Sequence, residues 1–418
     1  MSTNKKEIEL LAPAGGMDQL RYAVYYGANA VYMGADRFGL RARATNFTLD
    51  TIPEAVEFAH SHNVKVHVTT NVLMKDTDLK GLAEYARALE AAGVDAVIVS
   101  DMGGFRTIRD AAPGLELHVS TQASCANSQT ALTWYELGAK RIVCAREMSL
   151  ADIARMRQEV PSDLEIEAFV HGAMCMSISG RCLISDYVTG RSANKGACTQ
   201  PCRWNYHLME ETRPGEYFPI GEDENGSYIL NSKDMNMLSH LDDIRAAGID
   251  SIKIEGRNKK AFYVASVVNA YRQVLDGADP EVFQAELEKN SHRPYGTGFY
   301  YGVAKQEYTQ GGQIQDCIHV GTAEGCVTED DGRMVAQVRC HNRIRPGDEV
   351  EVLSPHQPTR SFKVPNELFW IKHPGVLEPA QACNRSMELY QFEVPFELKK
   401  HDILRMEQTK YRSEPDCQ

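Results

Sequence analysis

Short apolar runs alternate with amphipathic, alanine-rich stretches through the first 260 residues of the chain. The runs have the character of β-strands and end in small or polar residues: IELLAPAG, NAVYMGA, VKVHVTTNV, DAVIVSD, LELHVSTQ, RIVCARE, LEIEAFVHG and DSIKIEGR. The stretches between them, such as LKGLAEYARALEAAG, space their apolar residues as helices do. Glycines follow several of these predicted helices and can end them, at Gly27, Gly93, Gly138 and Gly248.

This alternation predicts an α/β fold, and eight strand–helix units favour a TIM-like (β/α)8 barrel, regular or irregular. An open dinucleotide-binding sheet is disfavoured, because neither GxGxxG nor GxxxxGKS/T follows the first run. Beyond about residue 305, β-type residues alternate with turn signals such as Asp331-Gly332 and Pro346-Gly347. We therefore place a catalytic barrel at residues 1–304 and a small, all-β, barrel-like C-terminal domain at residues 305–418.

Active sites of such barrels form where the strands end at their carboxyl side. Polar residues occupy those positions here: Asn71, Asp101, Gln122, Arg146, Glu147, His171, Glu255 and Arg257. A polar residue after a strand can also cap the next helix, and for Asp101 that alternative has equal weight. Together these residues predict a polar, open mouth.

Composition narrows the class of protein. The chain has 418 residues, 43% hydrophobic and 24% charged, with a net charge of −12. That charge argues against wholesale attraction to nucleic acid or anionic membrane, although local basic clusters leave a basic groove open. No charged-then-apolar leader opens the sequence, and no apolar run approaches the roughly eighteen residues that span a bilayer. We expect a cytoplasmic protein with no membrane partner.

Four of the eleven cysteines lie in one segment, HGAMCMSISGRCLISDYVTGRSANKGACTQPC, at residues 171–202. They are Cys175, Cys182, Cys198 and Cys202, and small residues fill the intervals. Four thiolates can hold zinc or an iron–sulfur cluster, and the wide first intervals favour the cluster over paired zinc knuckles. We expect the loop at 171–203 to wrap this group at the mouth. The isolated Cys125 and Cys144 are read as ordinary buried thiols.

The same segment resembles the defining motif of the collagenase-like peptidase family numbered 32 among the unassigned types. The matching positions are Glu167, Phe169, Gly172, Ala173, Cys175, Gly180, Cys182 and Ser185. The likeness extends over nearly the whole chain and is greatest to the family's prephenate-dependent tRNA hydroxylation branch. It implies oxygen-independent hydroxylation of the wobble uridine at C5 to 5-hydroxyuridine, in the tRNA anticodon arm, with prephenate as co-substrate.

The resemblance also implies a 4Fe–4S cluster on Cys175, Cys182 and Cys198. In some branches the fourth ligand lies near the segment that here reads NSKDM, which holds no cysteine, so Cys202 is the remaining candidate. Alternatives within the family are hydroxylation of ribosomal RNA or of a quinone precursor. Peptidase activity is a further alternative, but no HExxH or GxSxG is present. A paralogue or a second copy of the chain is left open as a partner.

The two carboxylates of prephenate favour arginine partners, and the candidates are Arg41, Arg43, Arg146 and Arg257. Asn71 and Gln122 complete the predicted substrate-binding set. Protons are assigned to His171, Lys233, Asp234 and Glu255. The pairs Lys233–Asp234 and Lys253–Glu255 are equally consistent with structural salt bridges. Trp204 is expected in the core beneath the loop, with a base-stacking role as the alternative.

Overall fold

The computed structural model describes residues 7–40, 47–175, 179–180, 182–204, 207–208, 218–219, 231–302, 304, 306–307, 314–373 and 375–412. Its first seven strands are β1 (Glu9–Ala14), β2 (Ala30–Gly34), β3 (Lys65–Thr70), β4 (Ala96–Val99), β5 (Glu116–Val119), β6 (Arg141–Val143) and β7 (Glu165–Ala173). They are followed by β8 (His207–Leu208), β9 (Phe218–Pro219), β10 (Asn231–Ser232), β11 (Asp234–Asn236), β12 (Ser251–Ile254), β13 (Tyr295–Gly296) and β14 (Gln306–Glu307).

Helices connect the strands. They are α1 (Met17–Tyr25), α2 (Ile52–Ser61), α3 (Leu82–Ala91), α4 (Met102–Ala111), α5 (Ser128–Glu136), α6 (Leu150–Glu159), α7 (Ile184–Thr189), α8 (Leu241–Ala246), α9 (Ala261–Leu275), α10 (Pro280–Glu288) and α11 (Gln408–Arg412). Single turns of 3₁₀ helix occur at Thr121–Ala123, Ala193–Lys195, Pro201–Arg203 and Leu238–His240.

Strands β1 to β7 pair in sequence order, and β12 closes the ring by pairing with both β7 and β1, all in parallel. The TIM-like barrel predicted from the sequence is therefore confirmed. The five residues of β2 are all buried, as expected for parallel strands covered by helices on one face and by the barrel interior on the other. Two short strands, β11 and β13, extend the sheet beyond β7.

Two residues that the sequence placed at helix ends, Gly27 and Asp101, cap helices in the structure. Gly27, two residues beyond α1, has a φ of +99°, and the amide of Ala28 donates to the carbonyl of Ala23 at 3.0 Å. This backbone conformation favours glycine and ends the helix. Asp101 accepts a hydrogen bond from the amide of Gly104 at 2.8 Å at the start of α4. Its role is therefore helix capping, the alternative that the sequence left open.

The C-terminal domain is an antiparallel sheet. Its strands are β15 (Cys317–Thr328), β16 (Met334–Cys340), β17 (Glu349–Leu353), β18 (Arg360–Lys363), β19 (Leu368–His373), β20 (Val376–Ala380), β21 (Leu389–Val394) and β22 (Ile403–Glu407). They lie in the order β18-β17-β22-β15-β16-β21-β19-β20 and enclose an apolar cluster of their own. The all-β character predicted for this part of the chain is confirmed.

The two parts of the chain are in direct contact. The hydroxyl of Tyr26 in α1 donates to the carbonyl of Leu353 at 2.8 Å. Arg405 is fully buried and pairs with Glu351 of its own sheet at 2.8 Å and with Glu286 of α10. Buried, hydrogen-bonded contacts of this kind fix the β domain against α1 and α10. Within the residues described, no helix has both the length and the apolar composition to cross a membrane.

Candidate active site

A cavity opens at the carboxyl end of the barrel strands, and all four clustered cysteines line it. Thiols and charged groups face the same space, because the loop after β7 folds over the mouth formed by the other strands. The lining residues that carry functional groups are Tyr32, Thr69, Asn71, Ser120, Thr121, Gln122, Arg146, Cys175, Ser179, Cys182, Asn194, Cys198, Cys202, Lys253, Glu255 and Arg257. The structure thus brings together the cysteines and five of the predicted polar residues.

The first half of the cysteine loop rests on strand ends β5 and β6. The amide of Ser179 donates to Glu147 at 2.8 Å, and Ser124 donates to the carbonyl of Ser179. Gly180 lies directly on the backbone of Gln122: a Cβ at this glycine would stand 2.1 Å from the Gln122 carbonyl oxygen. Glu147, predicted at the mouth, therefore anchors the loop.

The second half of the loop is held from another side. Asn194 donates to the carbonyl of Cys182 at 3.1 Å and accepts from the amide of Leu73, beyond β3, also at 3.1 Å. Lys195 forms an ion pair with Asp78. The segment that carries Cys198 and Cys202 is thereby tied both to the first half of the loop and to the barrel.

The donor set fits a group that takes four thiolates. Cys175 is exposed and Cys182, Cys198 and Cys202 are half-buried, all on one cavity. Among the residues described, no three His, Cys, Asp or Glu side chains converge on one point as ligands of a single ion would. Four thiols that line one cavity are the kind of donor set that zinc or an iron–sulfur cluster takes.

Two other cysteines behave as the sequence predicted. Cys125 and Cys144 are buried in the barrel's apolar core. Burial raises the pKa of the Cys125 thiol to about 11 and raises that of Cys144 further. Both thiols stay protonated at neutral pH and are ordinary buried thiols.

Arg146 and Glu255 form an ion pair on one wall of the cavity. The guanidinium approaches the carboxylate at 3.3 Å, donates to the carbonyl of Ala173 at 2.9 Å and stacks 4.0 Å from the ring centre of Phe169. Arg146 is thus fixed in place beside the start of the cysteine loop, where its remaining N–H groups can meet an anion.

Arg257 and Asn71 hold the opposite wall. Arg257 donates to the hydroxyl of Thr69 at 2.8 Å and to the carbonyl of Leu40, and Asn71 accepts from the amide of Leu40 at 3.2 Å. Leu40 immediately precedes the predicted substrate-binding pair Arg41 and Arg43, which lie outside the described residues.

Lys253 is a cavity residue whose partner the sequence did not predict. Its ammonium lies 2.8 Å from Glu167 and 4.4 Å from the ring centre of Tyr32. Burial lowers its pKa, while the charge of Glu167 opposes that shift. Lys253 and Glu255 thus line the same cavity, while their closest ion-pair contacts are Glu167 for Lys253 and Arg146 for Glu255.

A network of buried charges continues below Lys253. Arg141 contacts Glu167 at 3.0 Å and Glu9 at 2.5 Å, and it also pairs with Glu165. His67 and His118 pack against each other nearby, with ring centres 4.8 Å apart. The sequence offered one signal of this network, namely charged residues at alternate positions of otherwise apolar strands, such as EIE at the start of β7.

The structure does not bring three of the predicted proton-transfer residues to the cavity. Lys233 packs against Gly296, and Asp234 accepts a hydrogen bond from the backbone amide of Arg293 at 3.2 Å. His171 is 2% exposed and lies among aromatic rings of α9 and β13. Burial lowers the pKa of His171 to about 3, so its imidazole is neutral.

Trp204, at the end of the cysteine loop, is 45% exposed. The expectation that it belongs to the core is wrong. An exposed indole beside the loop is the geometry that the base-stacking alternative requires.

Comparison with known proteins places this chain in a family. Residues 15–310 match peptidase family U32, and residues 322–405 match the C-terminal domain of the same family. The chain belongs to peptidase family U32. The resemblance read from the cysteine motif is therefore confirmed.

Relatives within family U32 carry names of different activities. The tRNA hydroxylation protein P1 of Bacillus subtilis is 36% identical over 96% of this chain and 95% of its own length. The 23S rRNA 5-hydroxycytidine C2501 synthase of Escherichia coli is 39% identical over 70% of this chain and 45% of its own length. The collagenase of Porphyromonas gingivalis is 30% identical over 76% of this chain and 80% of its own length.

Proposed function

We propose that this chain is an RNA hydroxylase that acts on tRNA. In full, it converts the wobble uridine to 5-hydroxyuridine without molecular oxygen, with prephenate as the hydroxyl source and a 4Fe–4S cluster as cofactor. The observation that carries the proposal is the convergence of four thiols and a set of cationic side chains on one cavity. The similarity to a tRNA hydroxylation protein over nearly the whole length of both chains supports tRNA as the substrate.

The cluster is assigned to Cys175, Cys182, Cys198 and Cys202. When bound, such a cluster supplies redox and Lewis-acid chemistry next to the substrate. The loop's contacts with Glu147 and Gln122 hold the first two thiols over the barrel, and Asn194 links them to the segment with the other two. In this proposal these contacts hold both halves of the loop at the cavity, where the cluster would bind.

The charges on the cavity favour an anionic co-substrate. Arg146, Lys253 and Arg257 contribute three positive charges, and Glu255 contributes one negative charge. Two of the cations are held by partners inside the cavity wall, so their positions do not depend on a ligand. A dicarboxylate such as prephenate suits this arrangement, since fixed guanidinium groups bind carboxylates in a defined orientation.

In this proposal Lys253 and Glu255 transfer protons, because both line the cavity. The other predicted proton-transfer residues do not line it and are given no such role: His171, Lys233 and Asp234. Glu167 accepts a hydrogen bond from the Lys253 ammonium at 2.8 Å, and its charge opposes the lowering of the Lys253 pKa by burial. Glu255 is restrained by Arg146, so its carboxylate can accept a proton at a defined position.

The test uses Cys175→Ala, with Cys326→Ala in the β domain as the matched control. Each protein is purified without air and assayed for iron and acid-labile sulfide. Each is also returned to a strain that lacks this gene, its paralogues and any oxygen-dependent route, and bulk tRNA is analysed by nucleoside mass spectrometry. We expect the intact protein and Cys326→Ala to restore 5-hydroxyuridine derivatives, and Cys175→Ala to lose both the modification and the bound iron.

Two outcomes contradict the proposal. A colourless Cys175→Ala protein that still restores the modification removes the cluster from the chemistry. If even the intact protein restores nothing in tRNA, the substrate assignment is wrong. The similarity to an rRNA 5-hydroxycytidine synthase makes ribosomal RNA the second candidate, and digests of 23S rRNA from the same strains test it directly.

A further inference from the structure

A second crevice lies beside the active-site cavity, where the barrel meets the β domain. Its barrel side includes Asn258, Lys259, Lys260, Phe262 and Asn290, and its β-domain side includes His319, His341 and Asn342. Its volume is about 680 Å³, within the range of about 300–1,000 Å³ typical of ligand sites. Glu255 lines both spaces, so a ligand in the crevice would lie next to the active-site cavity.

Helix α9 begins at the crevice. Its fifteen residues carry no acidic side chain in the first turn, and the residue before it, Lys260, makes no side-chain capping hydrogen bond. The first N–H groups of a helix lack partners within the helix and, with the helix dipole, favour an anion. Lys259 and Lys260 directly precede this uncapped start and strengthen that preference.

Asn290 gives an independent sign that the crevice suits a polar ligand. Its side chain is 1% exposed, and neither its amide nitrogen nor its amide oxygen has a hydrogen-bond partner among the described residues. Leaving both groups unsatisfied costs about 1–3 kcal/mol each. The neighbouring Ser291 carbonyl accepts from Lys259 at 3.3 Å, so Asn290 and a cation lie on the same side of the crevice.

The described residues that line the crevice include two lysines and one acidic residue, while Asp18 and Glu324 act on His341 from outside the lining. Lys260 is exposed and forms no ion pair with any residue in the part of the chain that the structure describes. Glu255, the one acidic side chain among the described residues that line the crevice, is already paired with Arg146. The pKa of His319 is lowered to about 3, mainly by burial and also by the nearby His341 and Lys260. The histidines are therefore neutral hydrogen-bonding groups at neutral pH.

We propose that this crevice binds the sugar–phosphate backbone of the RNA beside the nucleotide that enters the active-site cavity. The α9 start and Lys260 contact a phosphate. Asn290 donates from its nitrogen to a phosphate oxygen and accepts at its oxygen from a ribose 2′-hydroxyl, the group that distinguishes RNA from DNA. The inference rests on the proposed function in taking RNA as the substrate.

The experiment measures binding of the full-length protein to a fluorescent 17-nucleotide RNA hairpin with an anticodon-arm sequence, over a series of salt concentrations. The variants are Lys260→Gln and the charge-conserving Lys260→Arg. Lys65→Gln is the control, because Lys65 is exposed at the amino end of β3, on the far side of the barrel. Loss of one phosphate contact in the single-stranded loop makes the slope of log affinity against log salt shallower by about 0.7, which is about a fivefold loss of affinity at 0.1 M salt.

We expect this loss for Lys260→Gln, wild-type binding for Lys260→Arg and Lys65→Gln, and weaker binding of the DNA version of the hairpin by the wild-type protein. Equal slopes for Lys260→Gln and wild type overturn the inference. Nucleoside mass spectrometry on the same proteins separates the two proposals. A wild-type protein that modifies tRNA while Lys260→Gln binds unchanged defeats only this inference, whereas a wild-type protein that modifies no RNA defeats the proposed function.

Discussion

Replacing Gly180 by alanine should dislodge the cysteine loop while leaving the barrel folded. Gly180 has a φ of +75°, and its added Cβ would lie 2.1 Å from the carbonyl oxygen and 2.9 Å from the carbonyl carbon of Gln122. Normal contacts between such atoms begin near 3.5 Å, so the two segments must separate by more than about 1 Å. Gln122 follows β5 in the barrel wall, so the loop is the part that moves.

Gly190, in the same loop, supplies a matched control. It also has a positive φ, +64°, but no atom lies within 4 Å of its added Cβ. Gly190→Ala therefore carries only the left-handed backbone cost of an L-residue, about 1–2 kcal/mol. Gly180→Ala carries that cost plus the clash. The difference between the two variants isolates the contact with Gln122.

Two measurements follow the loop and the barrel separately. The first is the reaction rate of Cys182 with a thiol reagent in metal-free protein, together with iron bound after anaerobic reconstitution. The second is the urea unfolding midpoint. We expect Gly180→Ala to expose Cys182 and to lose most of the iron, while Gly190→Ala keeps both near wild type. If the two variants behave alike in both measurements, the contact between Gly180 and Gln122 does not position the loop.

Further predictions concern the barrel interior. Glu167→Gln leaves the buried Lys253 ammonium without its partner at 2.8 Å and should lower the free energy of unfolding by about 3–5 kcal/mol, measured with urea. Adding Lys253→Met to that variant should recover part of the loss; no recovery contradicts the assigned pairing. Burial and the neighbouring His118 lower the pKa of His67 to about 3. The unfolded chain therefore binds a proton that the folded chain does not, and stability should fall as the pH drops below about 6.5, by roughly 1.4 kcal/mol per pH unit from this residue. Urea titrations at pH 7, 6 and 5 should show a shallower slope for His67→Gln; an unchanged slope rules out a neutral His67.

The barrel could be predicted from sequence because its signal is local and repeated. Each strand is a short apolar run that ends in small or polar residues, and several helices end at a glycine such as Gly27 or Gly248. Closure of the ring by β12 also followed, because the eighth apolar run supplies it after an interruption of the pattern. The cluster of four cysteines could be predicted for a similar reason, since all four lie within a segment of 28 residues.

The position of His171 could not be predicted because it depends on the pairing of two strands. Lys253 lies opposite Phe169, but the next residue, Ile254, lies opposite His171. Strand β7 therefore holds one extra residue, Val170, and such a bulge turns the residues after it to the other face. Strict alternation from Glu167 through Phe169 places His171 inside the barrel, whereas the bulge turns it outward to the tyrosines of α9.

Beyond the bulge, the end of β7 packs against the chain that follows β12. Gly172 in this part of the strand has a φ of +101°, and β7 continues to Ala173 before the chain enters the cysteine loop. An added Cβ at Gly172 would lie 2.7 Å from the carbonyl of Glu255, so β7 and β12 approach too closely for any other residue. The backbone of Glu255 therefore lies against Gly172 while its carboxylate pairs with Arg146, so the strand that leads into the thiol loop contacts the residue that forms the ion pair on the cavity wall.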